Sequence, residues 1–137
     1  MNKKEILHNI SKLCYKYKIP LTIKFCYHPT YLAFVRFYKK ETIINFNLKF
    51  KKQFTKHIIL HEFGHVINKL PYNTYNEAFI SEYSAEKFAL ENLNKKQYKR
   101  AIFLNIHNIN SDLWKKDFNI HRHSLTQLLV DKGELYE

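Results

Sequence analysis

The chain has little of what staples or interrupts a small protein: among 137 residues there are 2 cysteines, 2 glycines, 3 prolines and 1 tryptophan. Cys14 and Cys26 are too few and too unpatterned for a disulfide scaffold, and a chain of this length can bury a core without one. With no Pro-, Gly- or Ser-rich stretch there is no linker, low-complexity tract or repeat, so a single domain over residues 1–137 is expected. No apolar run approaches the roughly 20 residues that a bilayer-spanning helix needs. The opening Met1-Asn2-Lys3-Lys4-Glu5 is basic, but a broken helical pattern follows it (Ile6, Ile10, Leu13, Cys14, Tyr17) where a secretory signal would carry an apolar core. The expectation is a cytoplasmic protein with no membrane partner.

Acidic residues are also scarce, 12 against 23 basic ones, which leaves a formal net charge of +11. Only Arg36, Arg100 and Arg122 are arginine, whereas phosphate and base recognition favours arginine forks. The lysines fall in small groups scattered along the chain, at Lys39-Lys40, Lys49 to Lys56, Lys95 to Arg100 and Lys115-Lys116. This pattern predicts weak, salt-sensitive adhesion to polyanions and no specific nucleic-acid binding.

Apolar spacing predicts a helix over 3–17, ended near Ile19-Pro20, then strands at 21–27, 31–38 and 43–46. Helices are expected at 55–69, 74–93, 95–107 and 122–132, the last stopped by Gly133. Trp114, with Leu113 and Phe118, is expected to anchor the C-terminal part on the core.

What the chain does have is His61-Glu62-Phe63-Gly64-His65, an H-E-x-x-H pattern between Ile58-Ile59-Leu60 and Val66-Ile67. Side chains at i and i+4 lie on one helix face, so His61 and His65 can reach one metal ion. Glu62 sits about 100° further round the helix, where it can reach a water on the metal and act as general base. Gly64 costs about 1 kcal/mol relative to alanine in a helix interior, so something is expected to pass close to its backbone.

A zinc peptidase needs a third protein ligand. In the next helix Thr74-x-x-Glu77 is a capping box, which makes Glu77 structural. Behind it Ala78, Glu82, Ala85, Glu86, Ala89 and Leu93 share one stripe, so two carboxylates interrupt an apolar face. A carboxylate facing a core needs a metal, a cation or a donor.

The segment Glu82-Tyr83-Ser84-Ala85-Glu86-Lys87-Phe88-Ala89, following His-Glu-Phe-Gly-His by a short linker, resembles the gluzincin arrangement, most closely that of the ImmA/IrrE-like intracellular metallopeptidases. The likeness covers residues 43–93. Together with the pattern of helices and strands above, it points to a minimal zincin-like α+β fold: an N-terminal helix, a small three-stranded sheet whose edge can pair with an extended peptide, the metal helix, and a mostly helical C-terminal part. It also implies one Zn²⁺ held by His61, His65 and Glu82, Glu62 as base, Glu86 as hydrogen-bond partner of a ligand histidine, and a protein or peptide substrate. A second resemblance, to the SprT-like DNA-associated proteases, implies a histidine as third ligand, for which His107, His121 and His123 stand downstream. A third reading is a non-catalytic module stabilised by zinc. Tyr72, Tyr75, His121 and His123 are candidates for steadying an oxyanion; His8, His28 and His57 show no spacing signal.

Overall fold

The computed structural model describes residues 1–135, apart from the Asp117 side chain. Its order of helix, three strands and then helices is the expected α+β architecture. Tyr136 and Glu137, the end of the expected domain, lie outside the described residues.

Helix α1 (Lys3–Tyr17) opens with a capping box in which Asn2 and Glu5 satisfy each other's backbone N–H groups. It closes at Lys18, in the left-handed region at φ 55°, two residues before Pro20. One face, Ile6 and Ile10, is fully buried. Strands β1 (Thr22–Cys26), β2 (Ala33–Phe37) and β3 (Thr42–Asn47) form one mixed sheet in the order β1-β3-β2, with β3 parallel to β1 and antiparallel to β2.

The first two strands are shorter than expected. Asn47 accepts from the His28 N–H and donates to the His28 and Tyr31 carbonyls through its side chain, and its own N–H donates to the Leu32 carbonyl, so this one residue holds the loop between the strands. Along the strands Ile23, Phe25, Ala33, Val35, Ile44 and Phe46 turn to the core, and Lys24, Phe34, Arg36 and Asn45 alternate onto the other face.

Helix α2 (Lys56–Asn68) is capped by Thr55, and α3 (Tyr75–Glu91) by the Thr74/Glu77 capping box. Helix α4 (Lys95–Ile109) starts at a further capping box, Asn94 with Gln97. A short 3-10 helix (Leu48–Gln53) and α5 (Asp112–Asp117) were not expected. Helix α6 (Asn119–Asp131) begins three residues earlier than expected, which puts His121 and His123 on its first turns.

Two cores result. Ile6 and Ile10 of α1 meet Ile44 and Phe46 of β3 and Ile59, Phe63 and Val66 of α2. Leu90 of α3 meets Ala101 and Ile102 of α4 and Leu125, Leu128 and Leu129 of α6. Trp114 packs against this second core, but Leu113 and Phe118 do not share its burial, being 58% and 40% exposed. They stand at either end of a helix too short to turn both inward.

Between the cores α2 and α3 run antiparallel, since His57 and His61 meet Glu86 while His65 meets Ser81. Gly64 is the crossing point: a Cβ there would stand 2.7 Å from Ala85 O and 2.8 Å from Ala85 Cα. The neighbour anticipated from the glycine is the α3 backbone.

Candidate metal centre

His61 and His65 project from one face of α2 and Glu82 from the facing stripe of α3. One ligand atom from each lies within 4.8 Å of the others. His61 Nε2 is 3.1 Å from Glu82 Oε2, and His65 Nε2 is 3.3 Å from Glu82 Oε1. Both separations are close to the ~3.4 Å between two ligand atoms held at about 2.1 Å on a tetrahedron.

The outer ring nitrogens are occupied. His61 Nδ1 is 3.0 Å from Glu86 Oε1, and His65 Nδ1 is 3.1 Å from Ser81 Oγ. With Nδ1–H donating outward, each ring can offer Nε2 as a ligand once a metal replaces the proton it shares with Glu82, and the neighbouring acceptor fixes the ring's orientation. Glu86 is itself held: its Oε2 is 2.7 Å from His57 Nε2 and accepts from Asn105 Nδ2 at 2.7 Å.

Electrostatics follow from this packing. Burial alone would push Glu82 and Glu86 up, but hydrogen bonds from the histidines outweigh it. Glu82 is held well below the usual carboxylate range and Glu86 is lowered to about 2. Burial would likewise push His61 down, yet its bonds to Glu82 and Glu86 leave it well above the ordinary histidine value. A divalent cation among His61, His65 and Glu82 would replace the protons that the two rings share with the carboxylate.

Glu62 is half-buried and makes no hydrogen bond or ion pair among the described residues. The Tyr72 hydroxyl donates to Glu82 Oε1 at 3.0 Å. Burial first, then the charges of Glu82 and Glu62, raise its pKa above the ordinary tyrosine value, so it stays a donor.

The other expected residues divide. His121 reaches the cluster, with Nε2 3.3 Å from Glu82 Oε2, although it was expected ahead of a helix rather than on one. Its ring packs against Trp114 and Phe118. Tyr75 and His123 hydrogen-bond each other at the mouth of a separate groove between α3 and α6. His107 lies in α4 with no bond to the cluster among the described residues.

Three residues were missed. His57 stands four before His61 and eight before His65, so the i, i+4, i+8 spacing of three histidines was a usable signal. Ser81 and Asn105 carried none, because only the packing of α3 on α2 and α4 gives them their partners. No family model, curated protein or solved structure matches the chain.

Proposed function

We propose that the chain is a zinc-dependent endopeptidase acting on an intracellular protein. The observation that carries the reading is the convergence of His61 Nε2 and His65 Nε2 on Glu82 while Glu86 and Ser81 hold the other ring nitrogens. Two imidazoles and one carboxylate fit zinc as a donor set, and three protein ligands leave a coordination position for substrate chemistry. Zinc bound there would lower the pKa of a coordinated water to about 7 and polarise a peptide carbonyl.

The chain's own groups do the rest. Glu62, free of structural bonds among the described residues, accepts the proton of the attacking water and returns it to the leaving amine. Glu86 keeps His61 oriented. Tyr72 and His121, both in contact with Glu82, are the groups that would turn from it to donate to a tetrahedral oxyanion.

The test joins metal analysis with turnover on a quenched-fluorescence peptide library. The wild type should hold about one zinc per chain and cleave members of the library. Glu62→Gln should keep the zinc and the fold but lose cleavage. No zinc after reconstitution, or a Glu62→Gln variant as active as the wild type, would overturn the proposal.

The proximity of His121 to Glu82 favours a second reading, in which His121 is a fourth protein ligand and the site is closed and structural. His121→Ala separates the two. Unchanged zinc affinity with cleavage lowered about 100-fold fits an oxyanion donor; a large loss of affinity fits a ligand.

A further inference from the structure

The strong positive charge finds no use in the metal centre, and the fold gathers part of it on one surface. Helices α1 and α2 pack on the Ile44 and Phe46 face of the sheet. The opposite face is built from Thr22, Lys24 and Cys26 of β1, Ile43, Asn45 and Asn47 of β3, and Phe34 and Arg36 of β2, with Ile43 and Asn47 buried. The register aligns Lys24, Asn45 and Phe34 in a single row across the strands.

On this face lies a run of rings. His28 stacks on Tyr31 at 4.2 Å between centroids, Tyr31 meets Phe34 edge-on at 4.9 Å, and the Arg36 guanidinium lies 4.8 Å over the Phe34 ring. The run is built in. Asn47 fixes the loop that carries His28 and Tyr31, and the Tyr31 hydroxyl contacts Cys26 Sγ at 3.6 Å. Lys24 and Arg36 are exposed, the three rings half-buried. Glu41, the acidic group at the border, hydrogen-bonds Thr22 at the far end of the sheet. In the middle strand Asn45 Oδ1 is buried with no hydrogen-bond partner among the described residues.

Aromatic rings set among cations on a sheet face stack the bases and track the backbone of single-stranded nucleic acid. Duplexes offer no free base faces to such a surface, and an acidic peptide would use the cations but leave the ring run without a role. We infer that the outer face of the sheet, through Tyr31, Phe34, Arg36 and Lys24, binds single-stranded nucleic acid. This site is separate from the metal centre and does not depend on the peptidase reading. Lysine scatter gives no sign of this face, because Lys24 of β1 comes beside Phe34 and Arg36 of β2 only across β3.

Fluorescence anisotropy with labelled oligo-dT, oligo-U and a mixed-sequence duplex, at about 0.15 M salt, tests the inference. The wild-type protein should bind one or both single strands more tightly than the duplex, and the dT and U arms tell whether DNA or RNA is preferred. Tyr31→Leu and Phe34→Leu should each weaken single-strand binding about 5- to 100-fold and leave duplex binding unchanged. Arg36→Gln, an exposed change that spares the core, should weaken it too, whereas Lys95→Gln on α4 should not. Equal affinity for single strand and duplex would overturn the inference, as would a preference that survives the Tyr31, Phe34 and Arg36 substitutions. Tight binding of a poly-glutamate peptide that competes with oligo-dT and is insensitive to Phe34→Leu would assign the face to acidic proteins and overturn it as well.

Discussion

Glu86 shows how a single carboxylate can organise a site without touching its reacting atoms. One oxygen takes His61 Nδ1, and the other takes His57 Nε2 and Asn105 Nδ2. The substitution Glu86→Ala therefore frees the His61 ring and leaves the half-buried His57 and the buried Asn105 without their acceptor. Zinc affinity in a chelator competition titration should fall about 10- to 100-fold, as for the loss of a partner that orients a ligand. Glu82→Ala should remove the site outright. Unchanged affinity in Glu86→Ala would dissociate the carboxylate from metal binding. Both acids were legible in the sequence because carboxylates on an apolar stripe demand partners. The identity of those partners was not, since Asn105 comes from a helix whose docking no local pattern specifies.

At the scale of elements, α2, α3 and α4 were legible because side-chain caps mark their starts and a recurrent apolar face fills their length, whereas α6, which has no side-chain cap, was legible in its body but not at its start. The first strand was legible by alternation and the other two as short apolar runs between turns, though not their order, since β3 enters between β1 and β2 through pairing that leaves no local trace. The 3-10 helix and α5 span 6 residues each, too few to show a period. The α2–α3 contact is the element on which the metal centre depends, and Gly64 sets its spacing. Alanine there gains about 1 kcal/mol of helix propensity. Its Cβ, however, meets Ala85 backbone atoms at 2.7 and 2.8 Å, and backbone cannot move aside by changing rotamer. Overpacking of this kind costs about 1–3 kcal/mol. Gly64→Ala should thus leave the protein less stable in urea by up to about 2 kcal/mol, with weaker zinc binding because the helices are driven apart. A variant more stable than the wild type would show that the contact is slack.

For the whole molecule, no helix among the described residues is long and apolar enough to cross a membrane, and the net charge of +11 works against compactness in acid. The buried cluster gives stability a particular pH profile. Glu86 falls from an ordinary 4.5 to about 2 on folding, and Glu82 is lowered as well. Depressed carboxyls contribute stability above about pH 4.5 that is lost as pH drops towards 2. His61 is raised above 6.5, so its contribution is complete below that value and is lost as pH climbs through the folded pKa. Protein treated with chelator should have its highest Tm between about pH 4.5 and 6.5 and decline on both sides. Zinc competes with the histidine proton, so the metal's effect runs the other way, since ligands must be deprotonated to bind. The rise in Tm on adding excess zinc should be small at pH 5 and grow steadily to pH 8, following RT ln(1 + [L]/Kd) as the apparent Kd falls. Differential scanning calorimetry at several pH values, with chelator and with zinc, checks both limbs. A zinc-induced shift of equal size at pH 5.5 and pH 8 would mean that no proton leaves on binding, and that His61 does not ligate the metal.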